Sequence, residues 1–542
     1  MTNSQPRSLL DTHEVSNQPP ARGDTNLWEG DIALREAIAR ENGQADALAA
    51  YGRAIGTAEM REAAQDANRH LPELVLFDRG GRRLDEVRFH PAYHRFMETS
   101  LGAGYSAVAW EGQQGGHVTH AAMVYLANQV EPGHCCPMTM TYAAVAALTA
   151  DAKLAAEWQP KLTSRSYDPA PRPLKEKRGA TLGMAMTEKQ GGSDVRSNTT
   201  RAEPDGDAYR LTGHKWFCSA PMSDGFLTLA QAPGGLTCFL VPRWLEGERN
   251  AIRIMRLKDK LGNKSNASSE IEYENTLAWR LGDEGKGVRT IIEMVHHTRL
   301  DTAMAPAGLM RGALAEAAYW ARNRSAFQRR LSDQPLMQSV LADLALDAEG
   351  ALALGLRVAR AFDGTTEDDS AFARIGVALA KFLSNKRCPV VTYEAMEVLG
   401  GMGYVEETGM PLYYREAPLN GIWEGSGNVI CLDILRTMAR EPLAAEVLGA
   451  ELLAATGADR RYDAALKEHA ERWPGLPAEG EARWYAERTA LLLTGSILLR
   501  HAPAAVADAF VATRIAGERG HVTGAMSLGD PKAILARIGP DA

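Results

Sequence analysis

The sequence predicts an α+β multi-domain protein: an N-terminal helical domain, a middle antiparallel β domain, a C-terminal helical bundle and an extra C-terminal helical domain. Three observations carry this expectation. From Leu34 to about Leu162, and again from Val288 to about Arg440, the text is rich in Ala, Leu and Glu with apolar residues at helical spacing, as in Ile32, Leu34, Ile38 and Leu48. Between these stretches come short runs of β-branched and aromatic residues separated by turn signals. The 542 residues also exceed what one hydrophobic core organises.

Taken in order, residues 1–26 are polar and Pro-rich and read as a flexible arm. Residues 27–180 form the helical domain, closed by the Pro-rich, basic loop "YDPAPRPLKEKRG" (167–179). Residues 181–285 hold "DAYRLTGHKWFCSA", "GFLTLAQ", "GLTCFLVPRW" and "SSEIEYENTLAWRL", punctuated by Thr212-Gly213 and Pro233-Gly234-Gly235, so antiparallel hairpins are expected. After "GDEGKG" (282–287), helices are expected over 286–325, 334–363, 369–399 and 427–439, a four-helix domain spanning 286–440. Residues 441–542 continue as a helical extension. Helices on either side of an antiparallel sheet exclude a doubly wound architecture.

The net charge of -8 and pI near 6.0 give no global attraction to nucleic acid, so any such contact would need a local basic patch. Six cysteines without a C-x-x-C pair, and a polar N-terminus without an apolar run, point to a reducing cytoplasm. The apolar stretch "TALLLTGSILLRHAPAAVADAFVA" is broken by Arg500 and His501 and reads as a buried helix, so no membrane span is expected. No metal site is assigned.

Several short motifs carry chemistry. In "GMAMTEKQGGSDVRSNTT" (183–200), Gly191, Gly192 and Ser193 would let backbone N–H groups approach a phosphate or a polar heterocycle edge, with Thr187 and Ser193 adding hydroxyls. Glycines there also suit a plain turn. "GHKWFCSA" sets Trp216, Phe217 and Ser219 on a strand, where large aromatics either face a planar ligand or fill a core. Gly400, Gly401 and Gly403 exceed what one helix cap needs. Arg322 and Arg324 end a helix, serving its dipole or reaching a phosphate. In "GIWEGSGNVICLDILR" (421–436), Glu424 stands before an apolar helix, as a cap or as a reactive acid.

In the order "AMTEKQGGSD", "GHKWF", "DKLGNKSNASS", "GDEGKG", "RSAF", "EVLGGMGY", "IWEGS", the chain resembles the acyl-CoA dehydrogenase family over roughly residues 60–440. Lys189 and Gln190 in the first motif, Trp423 in the last, and the helical extension resemble one bacterial branch tied to the response to DNA alkylation. That resemblance implies FAD between the β domain and the C-terminal helices. Met186, Thr187, Gly192 and Ser193 would face the flavin and its pyrophosphate, and Phe217, Cys218 and Ser219 would lie along the isoalloxazine edge. Trp423, Ser426 and Asn428 would complete that side. Arg324 and the stretch from Glu397 through Gly400 and Gly401 would meet the adenosine half from a partner chain, which implies a homotetramer. The family pattern R-x-x-F-G loses its glycine here at Gln328, and Glu397 stands where Gln is common.

Glu424 matches the family's catalytic base, and Arg299 matches an arginine near the thioester and the base. Abstraction of an α-proton needs a dry carboxylate of raised pKa. In the family, the Glu backbone N–H and a ribityl hydroxyl stabilise the enolate, and hydride leaves Cβ for flavin N5. The implied function is α,β-dehydrogenation of a short branched acyl-CoA such as isovaleryl-CoA, with the electron acceptor left open. The alternative is a protective, DNA-binding flavoprotein with vestigial turnover. Glu424 itself argues against a nitroalkane oxidase, whose base is Asp. In 441–542, Arg460, Arg461, Arg472, Arg500, Arg514, Arg519, Lys532 and Arg537 are interleaved with acids and read as a solvated face more than as a double-stranded DNA site.

Overall fold

Side-chain caps start the helices of the N-terminal domain. In this computed structural model, which describes residues 6–539, Asp31 accepts from the Leu34 N–H at 3.0 Å and opens α1 (Ile32–Glu41). After α2 (Ala45–Ile55), Thr57 caps α3 (Ala58–Arg69) through the Met60 N–H at 3.1 Å. Each cap satisfies a donor that the first helical turn leaves open. The first five residues of the expected arm and the last three of the expected extension lie outside the described residues.

One segment departs from the helical expectation. β1 (Glu73–Phe77) and β2 (Arg83–Arg88) form an antiparallel hairpin. Its turn is tied by Asp78 Oδ1, which accepts from the Gly80 and Arg82 N–H groups at 2.8 and 2.9 Å. That local bonding, with the apolar run Leu74-Val75-Leu76-Phe77, outweighs helix propensity here. Helices α4 (Pro91–Ala103), α5 (Gly116–Asn128), α6 (Cys135–Leu148) and α7 (Ala152–Leu162) follow. α5 is buried along its whole length and α6 along nearly all of it, as helices apolar on every face must be.

The β domain is one seven-stranded sheet of β3 (Leu182–Ala185), β4 (Arg201–Asp205), β5 (Ala208–Ser219), β6 (Gly225–Ala232), β7 (Gly235–Pro242), β8 (Ile252–Leu257) and β9 (Ser268–Leu281). The hairpins β4–β5 and β6–β7 are antiparallel as expected, but β6 also pairs in parallel with β3 and β4. The pairings β4–β5–β9–β7–β6–β4 return on themselves. The sheet therefore closes around Leu211, Phe226, Phe239, Val241, Ile271 and Tyr273.

The C-terminal helices are α8 (Gly287–Asn323), α9 (Pro335–Phe362), α10 (Glu367–Val398), α11 (Met410–Glu416) and α12 (Gly427–Arg440), with a short hairpin, β10 (Ser325–Ala326) and β11 (Arg329–Arg330), after α8. α10 opens with a capping box in which Thr366 and Asp369 satisfy each other's N–H groups. α8 starts directly on the backbone of β7: a Cβ at Gly287 would lie 2.5 Å from Thr237 C and 2.6 Å from Cys238 N. Gly287→Ala is accordingly expected to lower the thermal midpoint in calorimetry, by about 1–3 kcal/mol of overpacking. An unchanged midpoint would show that the junction is loose.

Part of the arm is held. Arg22 pairs with Glu316 at 2.6 Å, and the Pro20 carbonyl accepts from Tyr319 at 3.0 Å, so residues 17–22 lie along α8. The extension, α13 (Pro442–Leu453), α14 (Arg460–Arg472), α15 (Ala482–His501), α16 (Ala504–Phe510) and α17 (Pro531–Ala536), is not a separate core either: one apolar cluster runs from Trp28 to Ile538. Arg514 is buried against Asp343 and Asp347 of α9, and Arg537 binds Glu349 at 2.7 Å and Glu36 at 2.6 Å. Arg311 closes the ring, donating to Asp31 at 2.9 Å and to the Ile538 carbonyl at 2.7 Å.

Candidate active site

Between α11 and α12 the chain makes a turn in which Glu424 and Gly425 both adopt left-handed backbone, φ +57° and +104°. A non-glycine residue there is strained by about 1–3 kcal/mol, which the surroundings must over-determine. Four side chains do so. Thr298 donates to Glu424 Oε2 at 2.9 Å, and Arg299 Nε donates to the Glu424 carbonyl at 3.2 Å. Lys381 donates to the Asn420 and Gly425 carbonyls at 2.8 and 2.9 Å. Trp423 Nε1 donates to Asn420 Oδ1 at 2.8 Å.

The carboxyl thus points to α8, away from the N–H groups of α12, whose N-cap Ser426 makes no side-chain cap bond. Glu424 is not a cap. Burial raises its pKa, opposed by Thr298, Lys381 and Arg299. Arg299 is buried and spends its charge on Asp433 of α12 at 2.7 Å. It thereby ties α8 to both α12 and the Glu424 turn.

The β-domain side is built on a buried ion pair. Glu188 and Lys215 are both fully buried and 2.8 Å apart. Glu188 also accepts from the Thr199 and Thr200 N–H groups at 2.7 and 3.1 Å, which fixes the loop containing Met186, Thr187, Gly192 and Ser193. Trp216 N–H donates to the Thr187 carbonyl at 2.7 Å, joining that loop to β5. A Cβ at Gly192 would lie 2.5 Å from Thr187 Oγ1, so only glycine leaves the loop this shape. Ser219 shares a 3.2 Å hydrogen bond with Ser268, which also accepts from Lys260 at 3.1 Å.

Cys218 corrects the sequence expectation. Its side chain is fully buried in the β-domain core, so only its backbone could lie along a ligand edge. The register of β5 on β9 slips between Lys215 and Cys218, and this bulge turns Phe217 outward, 48% exposed, and Cys218 inward. Lys258 sits 3.2 Å from the ring centroid of Trp216 and covers one face of it. The two sides meet at Cys136, at the start of α6, whose buried thiol feels Lys260, Ser219 and Glu424 and is pushed up to about 12 chiefly by burial. Met186 and Trp423 pack on the same apolar cluster around α6 and α7.

Other expected residues lie elsewhere. Asn428 Oδ1 accepts from Arg483 of α15 at 2.9 Å, so the extension holds it. Arg324 follows the C-terminal end of α8, about 39 Å along the helix from Thr298 at 1.5 Å per residue. It donates to the Asn17 carbonyl at 2.8 Å and Gln18 Oε1 at 3.2 Å. Gly400 and Gly401 follow the end of α10, which runs parallel to α8, and a Cβ at either would meet no atom within 4 Å. Neither group reaches Glu424 within one chain.

Sequence reasoning missed Thr298, Lys381, Asn420 and Asp433. Only Lys381 left a signal, as one charge in the apolar run "VALAKFL".

A helical domain, a closed sheet and a helical bundle around such an acid define the acyl-CoA dehydrogenase class. Residues 17–169 match the family described as "Adaptive response protein AidB N-terminal domain", 183–276 "Acyl-CoA dehydrogenase, middle domain" and 285–439 "Acyl-CoA dehydrogenase, C-terminal domain". The chain belongs to the acyl-CoA dehydrogenase family, in its AidB-like branch. It is 46% identical to AidB of Escherichia coli (strain K12) over 92% of this chain and 94% of that one. It also resembles the solved structure of Caenorhabditis elegans ACDH-11 in complex with C11-CoA, at TM-score 0.83 and 28% identity, covering 95% and 94% of the two chains. Butyryl-CoA dehydrogenase from Megasphaera elsdenii shares the fold at TM-score 0.59 and 18% identity, over 77% of this chain and 99% of that one. Members of the family are FAD-dependent. Among the described residues no helix is long and apolar enough to cross a membrane.

Proposed function

We propose that this chain dehydrogenates a short branched acyl-CoA thioester, with Glu424 taking the α-proton. The observation that carries the reading is the Glu424 carboxyl itself: raised in pKa, held by Thr298 on a strained turn, and linked across Cys136 to the Ser219 edge of the β domain. The residues present fit FAD. The Gly192 cradle stays open only without a side chain, and buried Asn198, which donates to the Met186 carbonyl at 2.9 Å, keeps an unpartnered Oδ1. Met186, Thr187, Gly192, Ser193, Phe217 and Ser219 would hold the flavin, which supplies the hydride acceptor. The Glu424 N–H, which has no backbone acceptor among the described residues, is available to polarise the thioester carbonyl. The Glu424 carboxylate would take the α-proton, a bound flavin would supply the acceptor for the β-hydride, and the enoyl thioester would be the product.

The short acyl chain is what the motif resemblance implies, and an aromatic cluster lies next to Thr298 on the chain. His297, the preceding residue, packs against Trp110 at 5.3 Å and His117 at 5.6 Å between ring centroids, with Tyr142 5.6 Å from Trp110. Anaerobic titration with a panel of acyl-CoA thioesters tests this: isovaleryl-CoA is expected to bleach the flavin and an eleven-carbon thioester (C11-CoA) to do so poorly. Bleaching by the long chain alone would overturn the substrate assignment. The remote Arg324 and Gly400–Gly401 would complete the adenosine site of another copy, in a homotetramer; the six free, buried cysteines suit a cytoplasmic enzyme.

The geometry favours this reading over a DNA-binding one. Arg461, Arg472, Arg500, Arg514, Arg519 and Arg537 each pair with a carboxylate of the same chain. Such cations release few counterions on a duplex, so duplex binding is expected to be weak. Tight binding that falls steeply between two salt concentrations would reverse the preference.

A further inference from the structure

Lys381 is the buried charge that the chemistry above leaves without a part. It stands on α10 with 1% of its surface exposed, inside an otherwise apolar run. Its ammonium donates to the carbonyls of Asn420 and Gly425. These two carbonyls bracket the turn that carries Glu424. Among the described residues no ion pair brings a carboxylate onto Lys381, and the one acid that acts on it is Glu424. The other cations facing it are Arg299 on α8 and Lys386 on α10. Glu424 is faced by Thr298, Lys381 and Arg299, with the Cys136 thiol on α6. Asp433 on α12 is engaged by Arg299 and Arg374.

Burying an ammonium without a bonded carboxylate costs several kcal/mol, and a methionine would fill an apolar helix face without that cost. A charge kept at such a cost next to a reactive acid points to use. We propose that Lys381 is a positioning residue for the base: it clamps both ends of the Glu424 turn and supplies the positive charge that holds the carboxylate ionised between turnovers. The inference rests on Glu424 acting as the base. Burial pulls Lys381 down to about 7 and pushes Glu424 up, so the two titrate as a pair. Removing the cation raises the proton affinity of Glu424 further.

The test uses the FAD-loaded protein and its Lys381→Met and Lys381→Arg variants. Two readouts are followed against pH: the infrared carbonyl-stretch band of protonated Glu424, identified by its loss in Glu424→Gln, and the rate of anaerobic bleaching by isovaleryl-CoA. In Lys381→Met both midpoints are expected to rise by about one pH unit or more, so that bleaching slows about tenfold below the original midpoint. The KM should change less than the rate, and Lys381→Arg, whose charge persists at every pH, should bring both midpoints back to the wild-type value or below it. An infrared midpoint unchanged in Lys381→Met overturns the proposal and leaves Lys381 a structural clamp. Should Lys381→Met not fold, Lys381→Gln, which keeps one donor but no charge, is read in the same way. The infrared band reports Glu424 without turnover, so a wild type that no acyl-CoA bleaches defeats the base assignment separately.

Discussion

Glu424→Gln is expected to retain FAD and to lose bleaching by acyl-CoA, slowing proton abstraction by about a hundredfold to ten-thousandfold. Gln keeps the length of Glu and an oxygen that can accept from Thr298, so the turn and its left-handed backbone are preserved while the base is removed. The stability of the variant discriminates further. Burial lifts the folded pKa of Glu424 above its unfolded value, so the stability gained from its neutral form is complete at low pH and is lost as pH rises through the folded value. Gln is neutral throughout and keeps that contribution. The thermal midpoint of Glu424→Gln at pH 8 should therefore equal or exceed the wild type's, measured by calorimetry on both. Bleaching that survives the substitution would assign the base elsewhere.

Lys215→Met should have the largest effect on stability. It strands the Glu188 carboxylate with no countercharge in a fully buried site, a change that costs about 3–5 kcal/mol. Glu188 organises the loop through the Thr199 and Thr200 N–H groups, so FAD retention is expected to fall along with the thermal midpoint. Burial works against the Glu188 charge, yet Lys215 and these donors hold its pKa well below the usual carboxylate range. Its contribution is complete above the unfolded value and is lost as pH falls through the folded one. The double variant Lys215→Met, Glu188→Leu removes both charges and should regain part of the loss. If the single variant melts with the wild type, the pair does not hold the loop.

The parts legible in the sequence are those whose cause is local. Glu424 with its flanking glycines, and the Gly191–Gly192 loop, announce themselves because their backbone demands few residue types. The long helices end within a few residues of the expected positions because Thr366, Gly287 and Pro335 mark their starts. What escaped depends on distant partners. The parallel pairing of β3 with β6 follows from closure of the sheet, and the orientation of Cys218 from a bulge. The hairpin β1–β2 lay inside helical text, where five residues of strand carry little weight. Lys381 and Thr298 become functional only through the turn folded against them.

The bonding of Arg311 to both Asp31 and Ile538 has a consequence for how the chain matures. Residues far apart along the chain meet at one guanidinium, so this contact cannot form until Ile538 has been made. Closing a loop this long carries a large entropic cost and comes late in folding. A chain cut short before α17 would lack this contact and be an inviting substrate for chaperones and proteases.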